Sequence, residues 1–178
     1  ATTGRAMALF TSYGSLNAMA RIVRDELGSH DIAVLAQGID GTPSQIVRQF
    51  RKNPRAIILG TASFWEGVDL PGEKVEILII IKIPFANPKE PLVIAQLDKY
   101  KIAGKNEFMA YSVPDAAVRL KQGFGRLIRN LNDSGICILT DPRLNGTQYG
   151  SIILNTLPVK SIPYLKVEDV ILESKKFF

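Results

Sequence analysis

The chain has 178 residues, 46% of them apolar and 22% charged, enough for one globular domain with a full core. A net charge of +5 and a pI near 9.4 suit an anionic partner, but 22 basic residues interleaved with 17 acidic ones exclude a protein that coats nucleic acid. The lone cysteine excludes a disulfide framework, a cysteine-based zinc site or an iron–sulfur cluster in this chain, and no apolar run approaches the roughly 18 residues of a membrane span.

Ala6 to Tyr13 reads as a buried strand ending in polar residues, and Gly14-Ser15 opens a helix to about Leu27, with Leu16, Met19, Ala20, Val23 and Leu27 at helical spacing. His30, in a polar Ser-His-Asp turn without metal-ligand spacing, reads as surface. Ile32 to Gln37 is a second strand. Thr42-Pro43-Ser44-Gln45 starts a helix with proline at its first position, which continues through Ile46, Val47 and Phe50 to Asn53-Pro54. Ala56 to Thr61 is a third strand. Val75 to Ile83, almost unbroken Ile, Leu and Val, is a fourth of the kind covered on both faces.

Pro84 to Pro91 is a stiff loop, followed by a helix from about Leu92 to Tyr100. Ser112-Val113-Pro114-Asp115 fits a capping box at the start of an amphipathic helix expected to run from Val113 to Leu131. Gly135 to Thr140 is a fifth strand; Cys137 sits in its apolar run and reads as a small core residue. Tyr149 to Leu157 is expected to be helical, and past Val167 no element is assigned. Solid apolar strands alternating with helices predict an α/β fold with a parallel sheet. Ligands of such sheets gather at the carboxyl ends of the strands. The polar groups Thr11-Ser12-Tyr13, Thr61 to Asp69, Pro84-Phe85 and Asp141-Pro142-Arg143 fall there.

On the helix from Val113, at about 100° per residue, Arg119, Gln122, Arg126 and Arg129 form a polar stripe about 80° wide opposite Ala116, Ala117, Leu120, Phe124, Leu127, Ile128 and Leu131. Guanidiniums gathered on one stripe favour a phosphate-bearing partner over a merely solvated face. Gly123 and Gly125 each cost about 1 kcal/mol against Ala in a helix, a loss that suits close approach or a local bend.

Gln122-Gly123-Phe124-Gly125-Arg126-Leu127-Ile128-Arg129 resembles motif VI, Q-x-x-G-R-x-x-R, of superfamily 2 helicases in the version of the DinG/XPD-like DNA helicases. Upstream, Gly60-Thr61-Ala62-Ser63-Phe64-Trp65-Glu66-Gly67-Val68-Asp69-Leu70-Pro71-Gly72 resembles motif V, Leu9 to Tyr13 resembles motif IV, and Ile83 to Pro88 resembles the L-P-F-x-x-P segment. The three motifs occur in family order. The resemblance implies a RecA-like (P-loop NTPase-like) three-layer sandwich with a mainly parallel sheet and helices on both faces, residues 1–178 being the second RecA-like domain. No G-x-x-x-x-G-K-[ST] and no Asp-Glu-Ala-His box is present, so the phosphate cradle is expected in a first domain outside this chain. A dinucleotide fingerprint at Gly123 is excluded by the missing third glycine.

By the same resemblance, ATP with Mg²⁺ is bound mainly by that first domain. Arg126 and Arg129 act as arginine fingers, on a cationic edge expected at the rim where the strands terminate, and Gln122 orients near the phosphates. Glu66, Gly67 and Asp69 couple to the nucleotide; capping of a short turn is the bland alternative for the two acids. Single-stranded DNA is expected at Thr11, Ser12, Tyr13, Gly60, Thr61, Ser63, Phe64 and Trp65. For Ser12 the alternative is an ordinary helix cap, and for Phe64 it is core packing. The implied function is the C-terminal motor domain of an ATP-dependent DNA helicase, cytoplasmic and nucleoid-associated, without membrane partners. The isolated domain is expected to be inactive. The alternative is a non-catalytic module that binds single strands or a protein.

Overall fold

Five short aliphatic runs form strands in the computed structural model, which describes residues 4–61, 63–64, 75–128 and 133–178. They are β1 (Arg5–Leu9), β2 (Ala33–Ala36), β3 (Ala56–Gly60), β4 (Ile77–Ile80) and β5 (Ile136–Leu139). They make one sheet in the order β2-β3-β1-β4-β5, with every pairing parallel. The central strand is β1, where Met7 lies opposite Ile58 on one side and Leu78 on the other.

The helices are α1 (Tyr13–Leu27), α2 (Pro43–Lys52), α3 (Pro91–Ile102), α4 (Val113–Phe124), α5 (Arg143–Gly146), α6 (Gln148–Leu154) and α7 (Val167–Phe177). Right-handed crossovers decide which face each one covers. The step from β1 to β2 runs one way along the sheet and places α1 on one face. The steps from β2 to β3 and from β4 to β5 run the other way, so α2 and α4 share the opposite face. Side chains alternate accordingly. Met7, Leu9, Ile58, Leu78 and Ile80 pack with Phe50, Leu120, Phe124 and Ile153. Ala8, Phe10, Ala36 and Leu59 pack with Leu16 and Ala20 of α1. The architecture is the predicted three-layer α/β sandwich, unequally covered. Ile79 and Ile81 remain partly exposed on the α1 face, so β4 is not buried on both sides as its composition suggested.

Local chemistry sets the helix starts. Thr42 and Gln45 form a capping box with Pro43 in the first turn, as expected. Ser12 Oγ accepts from Ser15 N at 3.2 Å to cap α1, starting it slightly earlier than the sequence pattern indicates.

Four expectations need correction. The Ser112 capping box is absent, because Ser112 has helical angles and the chain enters α4 through a π-turn, Phe108–Ser112. Contacts of Phe108 with Phe85 and Tyr149, at ring centroid distances of 5.4 and 5.1 Å, anchor that turn. Asp115 instead takes Nε of Arg119 at 2.8 Å. Helix α4 stops at Phe124, where Gly123 and Gly125 weaken its backbone, instead of continuing to Leu131. The helix expected from Tyr149 to Leu157 forms as α6 but ends at Leu154, with Thr147 Oγ1 capping it through Gly150 N at 3.0 Å, and the short α5, which was not expected, precedes it. Helix α7 follows where no element was assigned, and none of its residues is buried. Among the described residues no helix is long and apolar enough to cross a membrane.

Candidate functional site

At the carboxyl ends of β1, β2 and β3 three separate stretches of chain meet on one side chain, Gln37. Strand β2 ends at Ala36, and the backbone N–H of Gln37 prolongs its ladder to Leu59 O at 2.9 Å. The chain then reverses through Gly38 and Gly41, whose φ values of 82° and 139° favour glycine. Asp40 holds this turn by accepting from Ala36 N at 2.6 Å and from the Arg24 guanidinium of α1. Gln37 is thereby fixed pointing into the rim and is 3% exposed.

All four hydrogen-bonding positions of its amide are used. Oε1 accepts from Thr61 N at 2.8 Å and from Thr61 Oγ1 at 3.1 Å. Nε2 donates to the Tyr13 hydroxyl at 2.7 Å and to Ser63 Oγ at 2.6 Å. Tyr13, Thr61 and Ser63, drawn from two motifs, are therefore one cluster. Sequence reasoning missed Gln37, which closes an apolar run; the Gln-Gly pair leaving a buried strand was the available signal.

The other strand-contact candidates divide by exposure. Thr11 and Ser12 are exposed, with Ser12 serving as the helix cap, and Tyr13 stands 51% exposed. Thr61 is 4% exposed and its hydroxyl is turned inward. Phe64 is 1% exposed, so of its two readings the core one describes it. Gly60 makes room for that ring, since an added Cβ would lie 2.7 Å from it. Trp65, Glu66, Gly67 and Asp69 lie outside the described residues.

The motif VI turn occupies the opposite edge. Gln122 is exposed in the last turn of α4, and Arg126 follows the helix in a turn closed by its own N–H to Gly123 O at 2.9 Å. Arg126 is half-buried, with Nε closed off from solvent. Next to it Leu127, 4% exposed, fills the space a side chain on Gly135 would need: a Cβ there would be 2.5 Å from Leu127 and 2.7 Å from Glu76 O. Glu76 and Gly135 immediately precede β4 and β5. The Arg126 turn therefore sits at the amino ends of the strands, not at the rim where they terminate. The reason is geometric: a crossover helix must return the chain to the start of the next strand. Among the described residues the stripe is interrupted, as Arg119 pairs with Asp115 on the helix while Arg126 lies beyond its end. Arg129 lies outside the described residues.

Asp141 braces the carboxyl rim on the β5 side. Its carboxylate accepts from Ile83 N at 2.9 Å, Arg143 N at 3.0 Å and the Arg143 guanidinium at 2.6 Å. The hydrogen bond from Arg143 foremost holds its pKa down to about 2 against the opposing effect of burial. Cys137 is the converse case: partly buried and packed against the core, where a fully buried residue was expected, its thiol is pushed by burial up to about 12. His30 is exposed, as read.

Comparison with known proteins gives one consistent result. The family profile described as a helicase C-terminal domain matches residues 1–160. The chain is 37% identical over 157 residues to the 3'-5' exonuclease DinG of Bacillus subtilis (strain 168), covering 88% of this chain and 17% of that protein. It is 38% identical over 161 residues to the ATP-dependent DNA helicase YoaA of Haemophilus influenzae, covering 90% and 24%. To the ATP-dependent helicase DinG of Mycobacterium tuberculosis (strain H37Rv) it is 35% identical over 158 residues, covering 89% and 23%. The chain thus spans about a fifth of the length of these relatives. Among solved structures, an XPD helicase superposes with a TM-score of 0.59 at 20% identity, covering 89% of this chain and 28% of that one. Domain 2 of the DEAD-box helicase Mss116p, bound to an RNA duplex, gives 0.52 at 14% identity, covering 98% and 57%. Both likenesses establish the RecA-like fold.

Proposed function

Because the chain belongs to the helicase C-terminal domain family, we propose that it is the second motor domain of an ATP-dependent DNA helicase of the DinG/XPD type. In the parent protein, ATP with Mg²⁺ sits mainly on a first RecA-like domain. Arg126 and Arg129 close on its phosphates and stabilise the charge that develops as the γ-phosphate leaves, while Gln122 lies beside the phosphates or the attacking water. Glu66, Gly67 and Asp69 link that pocket to the strand. Thr11, Ser12, Tyr13, Ser63 and Trp65 contact single-stranded DNA; Gly60, Thr61 and Phe64 build the ledge beneath Tyr13 and Ser63. The parent protein works in the cytoplasm at the nucleoid, and the domain alone neither hydrolyses ATP nor unwinds DNA.

The observation that carries this reading is the placement of the two groups on opposite edges of one sheet. The Gln37 cluster lies at the carboxyl ends of the strands, and the Arg126 turn lies at their amino ends. A module that only grips a strand has no use for the second edge. A motor needs both, joined by a stiff body, so that closure on a nucleotide displaces the strand-gripping edge.

The test is the ATPase rate of the full-length protein with and without single-stranded DNA. Arg126→Ala and Arg129→Ala are each expected to lower the DNA-stimulated kcat by about 10³-fold or more, while nucleotide-free strand binding is retained. An unchanged rate in Arg129→Ala removes the finger assignment. Strand binding without any ATPase in the wild type would make the domain a binding module.

A further inference from the structure

We propose that Gln37 is a positioning residue that sets the polarity of a phosphate-binding pair, the hydroxyls of Tyr13 and Ser63. The inference rests on the single-strand reading above and names the part of the strand read there, its phosphodiester.

The orientation of the buried amide is dictated from below. The backbone N–H of Thr61 can only donate, so the atom facing it at 2.8 Å is Oε1. Nε2 is therefore turned to Tyr13 and Ser63, and each of its hydrogens occupies a lone pair on one hydroxyl oxygen, at 2.7 and 2.6 Å. Each hydroxyl keeps its own hydrogen. With an N–H already aimed at the oxygen, that hydrogen is directed away from Gln37. One amide thus turns two amphoteric hydroxyls into two outward donors.

Their spacing fits one kind of partner. The two N–H bonds of an amide diverge by about 120°, which sets the hydroxyl oxygens roughly 4–5 Å apart. Two donors at that separation reach the two non-bridging oxygens of one phosphodiester, a group that accepts and never donates. Tyr13 is 51% exposed and Ser63 half-buried, so neither residue is enclosed by the core. The Tyr13 ring is held from one side by the turn at Gly38, where an added Cβ would stand 3.4 Å from the ring.

The test measures binding of a fluorescein-labelled oligothymidylate to the full-length protein at one fixed salt concentration. Tyr13→Phe and Ser63→Ala each delete a donor to a charged group and are expected to weaken binding about tenfold. Gln37→Met removes the amide without adding charge. It is expected to weaken the wild type several-fold and to add nothing once both hydroxyls are gone, whereas structural damage would add to the double variant. Methylphosphonate linkages, which remove the anionic oxygen, should erase the differences among the variants. Equal affinity of wild type and the Tyr13→Phe/Ser63→Ala double variant overturns the inference and leaves the strand reading in place. Failure of the wild type to bind the oligonucleotide overturns both. If Gln37→Met does not fold, the hydroxyl pair decides alone.

Discussion

Gln37 Oε1 accepts the backbone N–H of Thr61 at 2.8 Å, across 24 residues of sequence, and so ties the end of β2 to the end of β3. The bond is buried, with Thr61 only 4% exposed. Gln37→Met leaves that N–H without an acceptor and is expected to lower stability by about 1–3 kcal/mol. Urea unfolding of the 178-residue chain measures this; a loss below about 0.5 kcal/mol would mean that the rim holds together without the amide.

Asp141 makes stability depend on acid. Its carboxyl titrates at about 2 in the fold against an ordinary 3.8, so the folded state favours the ionised form. The stabilisation is fully present above the ordinary value and is lost as pH falls from about 4 towards 2. A shift of that size corresponds to about 2 kcal/mol. Asp141→Asn is therefore expected to unfold more readily than wild type near neutrality, with the gap closing at about pH 2.5. A gap that persists unchanged would assign the effect to shape and not to charge.

Gly135 is required by the neighbour it admits. A Cβ there would meet Leu127 at 2.5 Å and the Glu76 carbonyl oxygen at 2.7 Å, and the latter is backbone held by the Ile136 N–H at 2.9 Å. Gly135→Ala is expected to cost about 1–3 kcal/mol in denaturant unfolding. Because Leu127 adjoins Arg126, it should also lower the DNA-stimulated ATPase of the full-length protein. Full activity with reduced stability would uncouple the turn from the nucleotide.

Arg119 and Arg126 are expected to behave oppositely. Arg119 is paired with Asp115 one turn away on a partly exposed face, an arrangement worth about 0.3–0.5 kcal/mol. Arg119→Ala should leave the stimulated ATPase rate unchanged, whereas Arg126→Ala should nearly abolish it. Steady-state kinetics of the two variants side by side checks the division; equal losses would restore the stripe.

The sequence by itself determined the alternation of elements, the parallel sheet, and the family through three motifs in order. These are legible because local periodicity and contiguous residues carry them: a strand buried on a face reads as aliphatic whatever surrounds it, and a capping box such as Thr42–Gln45 spans four residues. Tertiary structure alone decided where α4 ends, since Gly123 and Gly125 tolerate a helix or a break and the burial of Leu127 against Gly135 selects the break. Long-range packing also decided that the Arg126 turn and the Tyr13 cluster stand on opposite edges, because right-handed crossovers return each helix to the start of the next strand. Gln37 was invisible for the same reason. Its meaning lies in hydrogen bonds to Tyr13, Thr61 and Ser63, residues 24 to 26 positions away, and no local pattern encodes a contact between the ends of three strands.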